Sequence, residues 1–300
     1  MPDIALRFHK DMLVLSAPVA PVLARQGFDA ERDLEYACLV EPEAVRDALR
    51  LSQVAGAQCL VACTEGITPA RLAHRGMEDR GGEVARAALT AVAQLSPQHV
   101  LVEVGPCGLP LDPSSKSSLN ESRDQYARAA RTLSGLAFDA LFLNGFASAT
   151  DLKCALMGLR QVYDGPVLAS VDVDADGMLD GGRDSFEDAL GVMLDCGASV
   201  AGFATAAPLD VAETLARRAA GAGGLPVLAQ LLVGENAPKQ GAPTPENPYY
   251  CPDVLVEAGV RLRTAGAQFL RAAGNATPAF AGALVAASEG FDVIRPDVEE

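Results

Sequence analysis

The chain has 300 residues, 49% of them hydrophobic and 21% charged, enough for one large domain or two small ones with a well-covered core. Its 24 basic residues against 39 acidic ones leave a net charge of −15. That excludes a general nucleic-acid or anionic-membrane binder, since either needs a basic face to meet phosphate. Seven cysteines, odd in number and scattered, lack the density of a secreted disulfide framework. They point to a reducing, cytoplasmic compartment. No run reaches the roughly 7–15 apolar residues of a secretory core or the roughly 20 of a membrane-spanning helix.

Short runs rich in Val, Leu, Ala and Phe recur in chain order at 12–16, 58–63, 100–104, 140–144, 167–172, 200–205, 227–231 and 268–272. Almost all are apolar throughout rather than alternating, the pattern of strands covered on both faces. Several are entered through Gly-Ala or Gly-Pro, as at Gly56-Ala57, Gly165-Pro166, Gly197-Ala198 and Gly266-Ala267. Glycine closes the preceding helix there, and Pro or a strand former opens the next element. Helical patterns lie between them at 43–54, 82–93, 122–136, 186–194, 209–219 and 252–264.

Strands alternating with helices predict a parallel sheet, and eight such units in this length predict an α/β fold of the closed (β/α)8 TIM-barrel type, one domain over residues 1–300. A doubly wound open sheet is the alternative, but no Gly-x-Gly-x-x-Gly turn follows the first strand. Barrel chemistry sits in the loops after the strands. The residues expected there are Ser16, Cys63, Thr64, Glu65, Glu103 to Cys107, Asn144, Ser170 to Asp176, Thr205, Gln230 and Arg271 to Thr277. Two long loops, 105–122 and 234–248, are candidate lids or substrate walls.

The strand-end motifs then add up. Gly27-Phe28-Asp29 leads to Leu34, followed by Pro42-Glu43-Ala44-Val45 and Ala55-Gly56-Ala57. Val104-Gly105-Pro106-Cys107-Gly108 comes next, with Tyr126 in the helix after it. Ser170 precedes Asp176-Gly177 and Gly181. Gly202 and Pro208 bracket the strand-six element, and Pro248-Tyr249-Tyr250, Gly266-Ala267 and Thr277-Pro278 complete the series. In order and spacing, over about residues 12–295, this resembles the homocysteine S-methyltransferase family, which includes the homocysteine-binding module of methionine synthase and the betaine-dependent enzymes. The resemblance implies a (β/α)8 barrel, in agreement with the strand count. It also implies a zinc ion held by three thiolates that activates the homocysteine sulfur. One ligand is the Cys of an Asn-Cys pair after strand six. The other two are adjacent cysteines in a Gly-Gly-Cys-Cys-Gly stretch after strand eight.

This chain departs from that pattern at every ligand. Ala204-Thr205 stands in place of Asn-Cys, and Ala273 and Gly274 stand where the paired cysteines belong. Ser16-Ala17 replaces an Asp-Gly after strand one, and Asn144-Gly145 replaces a Glu-Thr after strand four. The zinc cofactor expected for the family therefore loses its ligands, and the amino-acid pocket is expected to be rebuilt. Cys63, Cys107 and Cys251 are candidates for a displaced three-thiolate site. Arg271 is expected to bring its cation into this region. It would pair with Glu65, Glu103, Asp172 or Asp174, or grip an anionic ligand.

The expected substrate-binding set is Thr64, Glu65, Glu103, Asn144, Ser170, Asp172, Thr205 and Arg271. None of His9, His74 and His99 falls at a predicted strand end, which disfavours histidine-based catalysis. The leading expectation is methyl transfer to a thiol or related small substrate. One alternative is a non-catalytic homologue that binds a small molecule or a partner. Another is a barrel enzyme using Glu103 and Asp172 as acid and base. Beside one barrel there is no room for cobalamin or folate modules, so the methyl group is expected from a small molecule or a separate methyl-carrier protein.

Overall fold

The computed structural model describes residues 3–29, 33–179, 182–235 and 240–294. The first half runs β1 (Leu13–Val14), α1 (Ala20–Ala24), α2 (Leu34–Val40), α3 (Pro42–Val54), β2 (Cys59–Ala62), α4 (Pro69–Ala73), α5 (Gly81–Ala93), β3 (His99–Val104) and α6 (Lys116–Leu133). The second half runs β4 (Ala140–Phe146), α7 (Ala149–Leu159), β5 (Val167–Asp172), α8 (Phe186–Asp195), β6 (Val200–Thr205), α9 (Leu209–Gly221), β7 (Val227–Val233), α10 (Pro252–Thr264), β8 (Ala267–Gly274) and α11 (Pro278–Ser288). The eight strands form one parallel sheet in the order β1-β8-β7-β6-β5-β4-β3-β2. A parallel bridge between Leu15 and Cys59 joins its two ends. Gln58 N donates to Val14 O at 3.1 Å and Ser16 N to Cys59 O at 2.8 Å across that seam. The fold is the (β/α)8 barrel expected.

Local chemistry explains the element ends. Pro opens α3, α4, α10 and α11, where a missing N–H breaks no helical bond. Ser185 and Asp188 form a reciprocal capping box at α8. Helix α6 starts at Lys116 rather than 122 because the Ser115 side chain accepts from Ser118 N. The long loop after β3 is correspondingly shorter, and Gly135, at φ +79°, closes the helix before residue 136. Strand β1 keeps only two residues of the expected five, 12–16. Beyond it, the Ser16 carbonyl accepts from Arg271 Nε at 3.2 Å. Strands β7 and β8 run further than expected because they stay in register to Val233 and Gly274. Gly181 and residues 236–239 of the second long loop lie outside the described residues.

The barrel interior is built in layers. Leu13, Leu15, Val61, Leu101, Phe142, Leu168, Val200, Leu228 and Phe269 make a buried apolar plug. Phe8 packs edge-on against Phe269 at 5.9 Å to close the bottom. Two residues further along the strands the same inward register carries Glu103, Asn144, Ser170, Gly202, Gln230 and Arg271. An apolar floor under a polar layer at the strand C-terminal ends is what positions the site.

Candidate functional site

Arg271, on β8, is only 2% exposed and is fully committed. Its Nη1 donates to Glu103 Oε1 at 3.1 Å and its Nη2 to Glu103 Oε2 at 3.3 Å, a two-point grip across the barrel from β3. Nε reaches the Ser16 carbonyl, and Nη1 also donates to Gln230 Oε1 at 3.4 Å. The guanidinium carbon lies 5.2 Å from the Phe142 ring centroid, so the apolar floor supports the cation from below. Asn144 Nδ2 donates to Glu103 Oε1 at 2.6 Å, and Gln230 Nε2 donates to Asn144 Oδ1 at 2.7 Å and to Ser170 Oγ at 2.8 Å. The buried charge pair is thus embedded in a connected polar layer, the arrangement that makes burying it tolerable.

Above this layer opens a cavity of about 240 Å³, whose wall includes Glu65, Glu103, Asn144, Asp172, Arg271 and Ala273. Glu65 lies just past β2. Burial, with the Glu103 and Glu35 carboxylates nearby, pushes its carboxyl up to about 7, against the pull of Arg71 and Arg271. Glu35 belongs to α2, where Leu34, Glu35, Ala37 and Cys38 form the buried stripe. Its Oε1 accepts from Gly66 N at 2.6 Å, and burial raises its carboxyl as well. No sequence expectation included Glu35. The available signal was an acidic residue at a core position of an amphipathic helix.

The expected site residues divide accordingly. Glu103, Asn144, Ser170 and Arg271 form the polar layer, while Thr64, Glu65 and Asp172 line the cavity above it. Thr64 Oγ1 donates to the Glu103 carbonyl at 2.8 Å. Thr205 does not join them. It is buried at the end of β6, and its hydroxyl accepts from Ala207 N at 3.1 Å. The partner of Arg271 is Glu103 among the carboxylates considered. In that grip both Glu103 oxygens accept hydrogen bonds from Arg271.

The donor set does not fit a three-thiolate zinc ion. At the ends of β6 and β8 the chain offers a hydroxyl on Thr205, a methyl group on Ala273 and no side chain on Gly274. The cysteines do not rebuild the centre elsewhere. The Cys63 thiol donates to Leu34 O at 3.5 Å and is raised well above its ordinary value by a hydrogen bond with the free Cys38 thiol and by burial. Cys107 lies 4.0 Å from Ser122 Oγ, while its backbone N donates to Tyr126 Oη at 2.9 Å. Cys251 stands at the N-cap of α10. Among the described residues, no three or more His, Cys, Asp or Glu gather so as to hold a metal ion.

Comparison with known proteins agrees with this architecture. The family model described as Homocysteine S-methyltransferase matches residues 18–262, a span that ends before β8. The homocysteine methyltransferase MmuM from Escherichia coli has the same fold. Its oxidised form gives a TM-score of 0.75 at 17% identity and its metallated form 0.73 at 19%, each covering 93% of this chain and 96% of that one. The exo-β-1,4-mannosidase Op5Man5 from Opitutaceae bacterium strain TAV5 gives 0.54 at 13% identity over 87% of this chain and 51% of that one. At such identities the likeness speaks to fold and not to activity. No curated protein matches the sequence. The family match over most of the chain places this protein in the homocysteine S-methyltransferase family.

Proposed function

We propose that this barrel transfers a methyl group to a small nucleophile, a thiol or a related group, in the cavity at its mouth and without a three-thiolate zinc centre. The observation that carries the reading is the pairing of a retained cavity with a replaced centre. The cavity of about 240 Å³ has Ala273 and Gly274 in its wall, where they supply no ligand, and the paired Arg271 and Glu103 side chains also line it. Its volume suits a molecule about the size of a small amino acid, at the low end of ligand pockets. The methyl group would come from a small donor or from a separate methyl-carrier protein. Seven free cysteines support a reducing, cytoplasmic setting, and no helix among the described residues is long and apolar enough to cross a membrane.

A second reading, a binding protein without catalysis, draws support from the commitment of Glu103 and Arg271 to each other. Both readings meet in one experiment. Chelator-treated protein is screened by thermal shift against homocysteine, other small thiols and amino acids. It is then incubated with each stabilising thiol and an onium methyl donor. A methylated thiol supports the first reading, and stabilisation with no product supports the second. Absence of any stabilisation contradicts both.

A further inference from the structure

Three carboxylates on the cavity wall differ in what they are tied to. Glu103 accepts from Arg271 at both oxygens and from Asn144. Asp172 has a partner of its own. Among the described residues, the Glu65 carboxylate accepts no hydrogen bond and makes no ion pair within 4 Å, yet its oxygens are not sealed from the cavity it lines. The backbone holds it there. Gly105 N donates to Glu65 O at 2.8 Å, and Gly105 has no side chain because a Cβ would come within 2.8 Å of Glu65 Cγ. We infer that the Glu65 carboxylate is the proton acceptor of this site, taking the proton of the nucleophile as the methyl group is transferred.

The inference rests on the methyl-transfer reading above and supplies what a zinc-free site lacks. Without a metal, a free thiol near neutrality is only a few per cent thiolate. In the step, an electron pair on the thiol sulfur forms the new bond to the methyl carbon of an onium donor. The bond from that carbon to the donor's sulfur or nitrogen breaks, and its electron pair stays on the leaving atom. The S–H proton passes to a Glu65 oxygen. The products are a methyl thioether, a neutral donor remnant and a protonated Glu65, which returns its proton to water through the cavity mouth.

The surroundings favour that role. Glu103 from β3 and Glu35 from α2 face Glu65 with like charge, while Arg71 from α4 and Arg271 from β8 face it with opposite charge. Burial and the two acids outweigh the two arginines and bring the carboxyl to about 7, close enough to a thiol for efficient proton transfer. Arg271 is matched by Glu103, which leaves Glu65 ungripped.

The test is isotope-edited infrared spectroscopy on protein labelled at glutamate carboxyl carbons, titrated from about pH 5 to 9. The full-length chain is used, with and without homocysteine. We expect a protonated-carboxyl band that titrates near neutrality in the wild type and is missing in the isosteric Glu65→Gln variant. At about pH 8 the Glu65 carboxylate band should shift when homocysteine binds, because the S–H group then donates a hydrogen bond to a Glu65 oxygen. A wild type with no such titrating band overturns the assignment, and so does a set of bands that is unchanged in Glu65→Gln, where only the Glu35 component should remain. Homocysteine binding seen by thermal shift without a shift of the Glu65 carboxylate band also overturns it. A Glu65 band in a protein that binds no thiol would leave the carboxylate assignment standing and remove the thiol-methylation reading instead. Because the titration is read first on the wild type, a Glu65→Gln chain that fails to fold would not stop the test, and Glu65→Asp would then serve for assignment.

Discussion

Arg271 and Glu103 hold each other across the barrel through two parallel hydrogen bonds, Nη1 to Oε1 at 3.1 Å and Nη2 to Oε2 at 3.3 Å. Such a pair is weak evidence for net stability, but breaking it from one side is severe because the remaining charge is buried alone. Glu103→Leu should lower unfolding stability by about 3–5 kcal/mol in urea titration. Arg271→Met should do the same to a similar degree. The double variant should be much less damaged than the sum of the two, since it removes both charges.

Gly274 shows why the zinc centre is not one substitution away. Its φ is +64°, and a Cβ there would lie 2.7 Å from the Val233 carbonyl oxygen, a backbone atom. Gly274→Ala should cost about 1–3 kcal/mol in thermal or urea unfolding. A chain carrying Thr205→Cys, Ala273→Cys and Gly274→Cys should melt below the wild type in the absence of zinc.

Glu65 predicts a pH dependence of definite sign. Its carboxyl binds a proton more tightly in the folded chain, at about 7, than at its ordinary value of 4.5. Its stabilising contribution is therefore whole below about 4.5 and is lost as pH rises through about 7. Glu65→Gln should match or trail the wild type near pH 4.5 and exceed it at about pH 8 by about 1–3 kcal/mol. Glu35, raised in the same direction, stays in both proteins and leaves a common slope.

Tyr126 anchors the loop after β3. Its hydroxyl accepts from Cys107 N at 2.9 Å and donates to Asp151 Oδ1 at 3.0 Å, inside a fully buried environment. Tyr126→Phe should cost about 1–3 kcal/mol by leaving a buried N–H and carboxylate short of a partner. Amide hydrogen exchange should rise at Cys107 and Gly108 more than in the core strands.

Much of this was legible because the barrel repeats one simple pattern. Runs such as 167–172 and 200–205 are apolar on both faces and bounded by glycine and proline, and they became strands with those same bounds. The polar layer was legible in part. Glu103, Asn144, Ser170 and Arg271 are polar residues inside otherwise apolar strands, and a buried arginine demands a carboxylate. Which carboxylate it takes depends on cross-barrel distance, and no spacing along one strand encodes that. Glu35 stayed hidden because α2, in the connection from β1 to β2, meets the loop after β2 at Gly66 only in the folded chain. Thr205 was drawn into the expected site by its place in a family pattern, whereas its own hydroxyl serves the adjacent Ala207 backbone.

The most direct test of the account is the zinc content of the protein. The chain is purified without chelator, incubated with equimolar zinc and passed through a desalting column before elemental analysis. A site with Thr205, Ala273 and Gly274 in place of thiolates predicts far less than one zinc per chain, together with homocysteine-induced stabilisation that survives chelator. One tightly held zinc per chain, released when the cysteines are blocked, would contradict it.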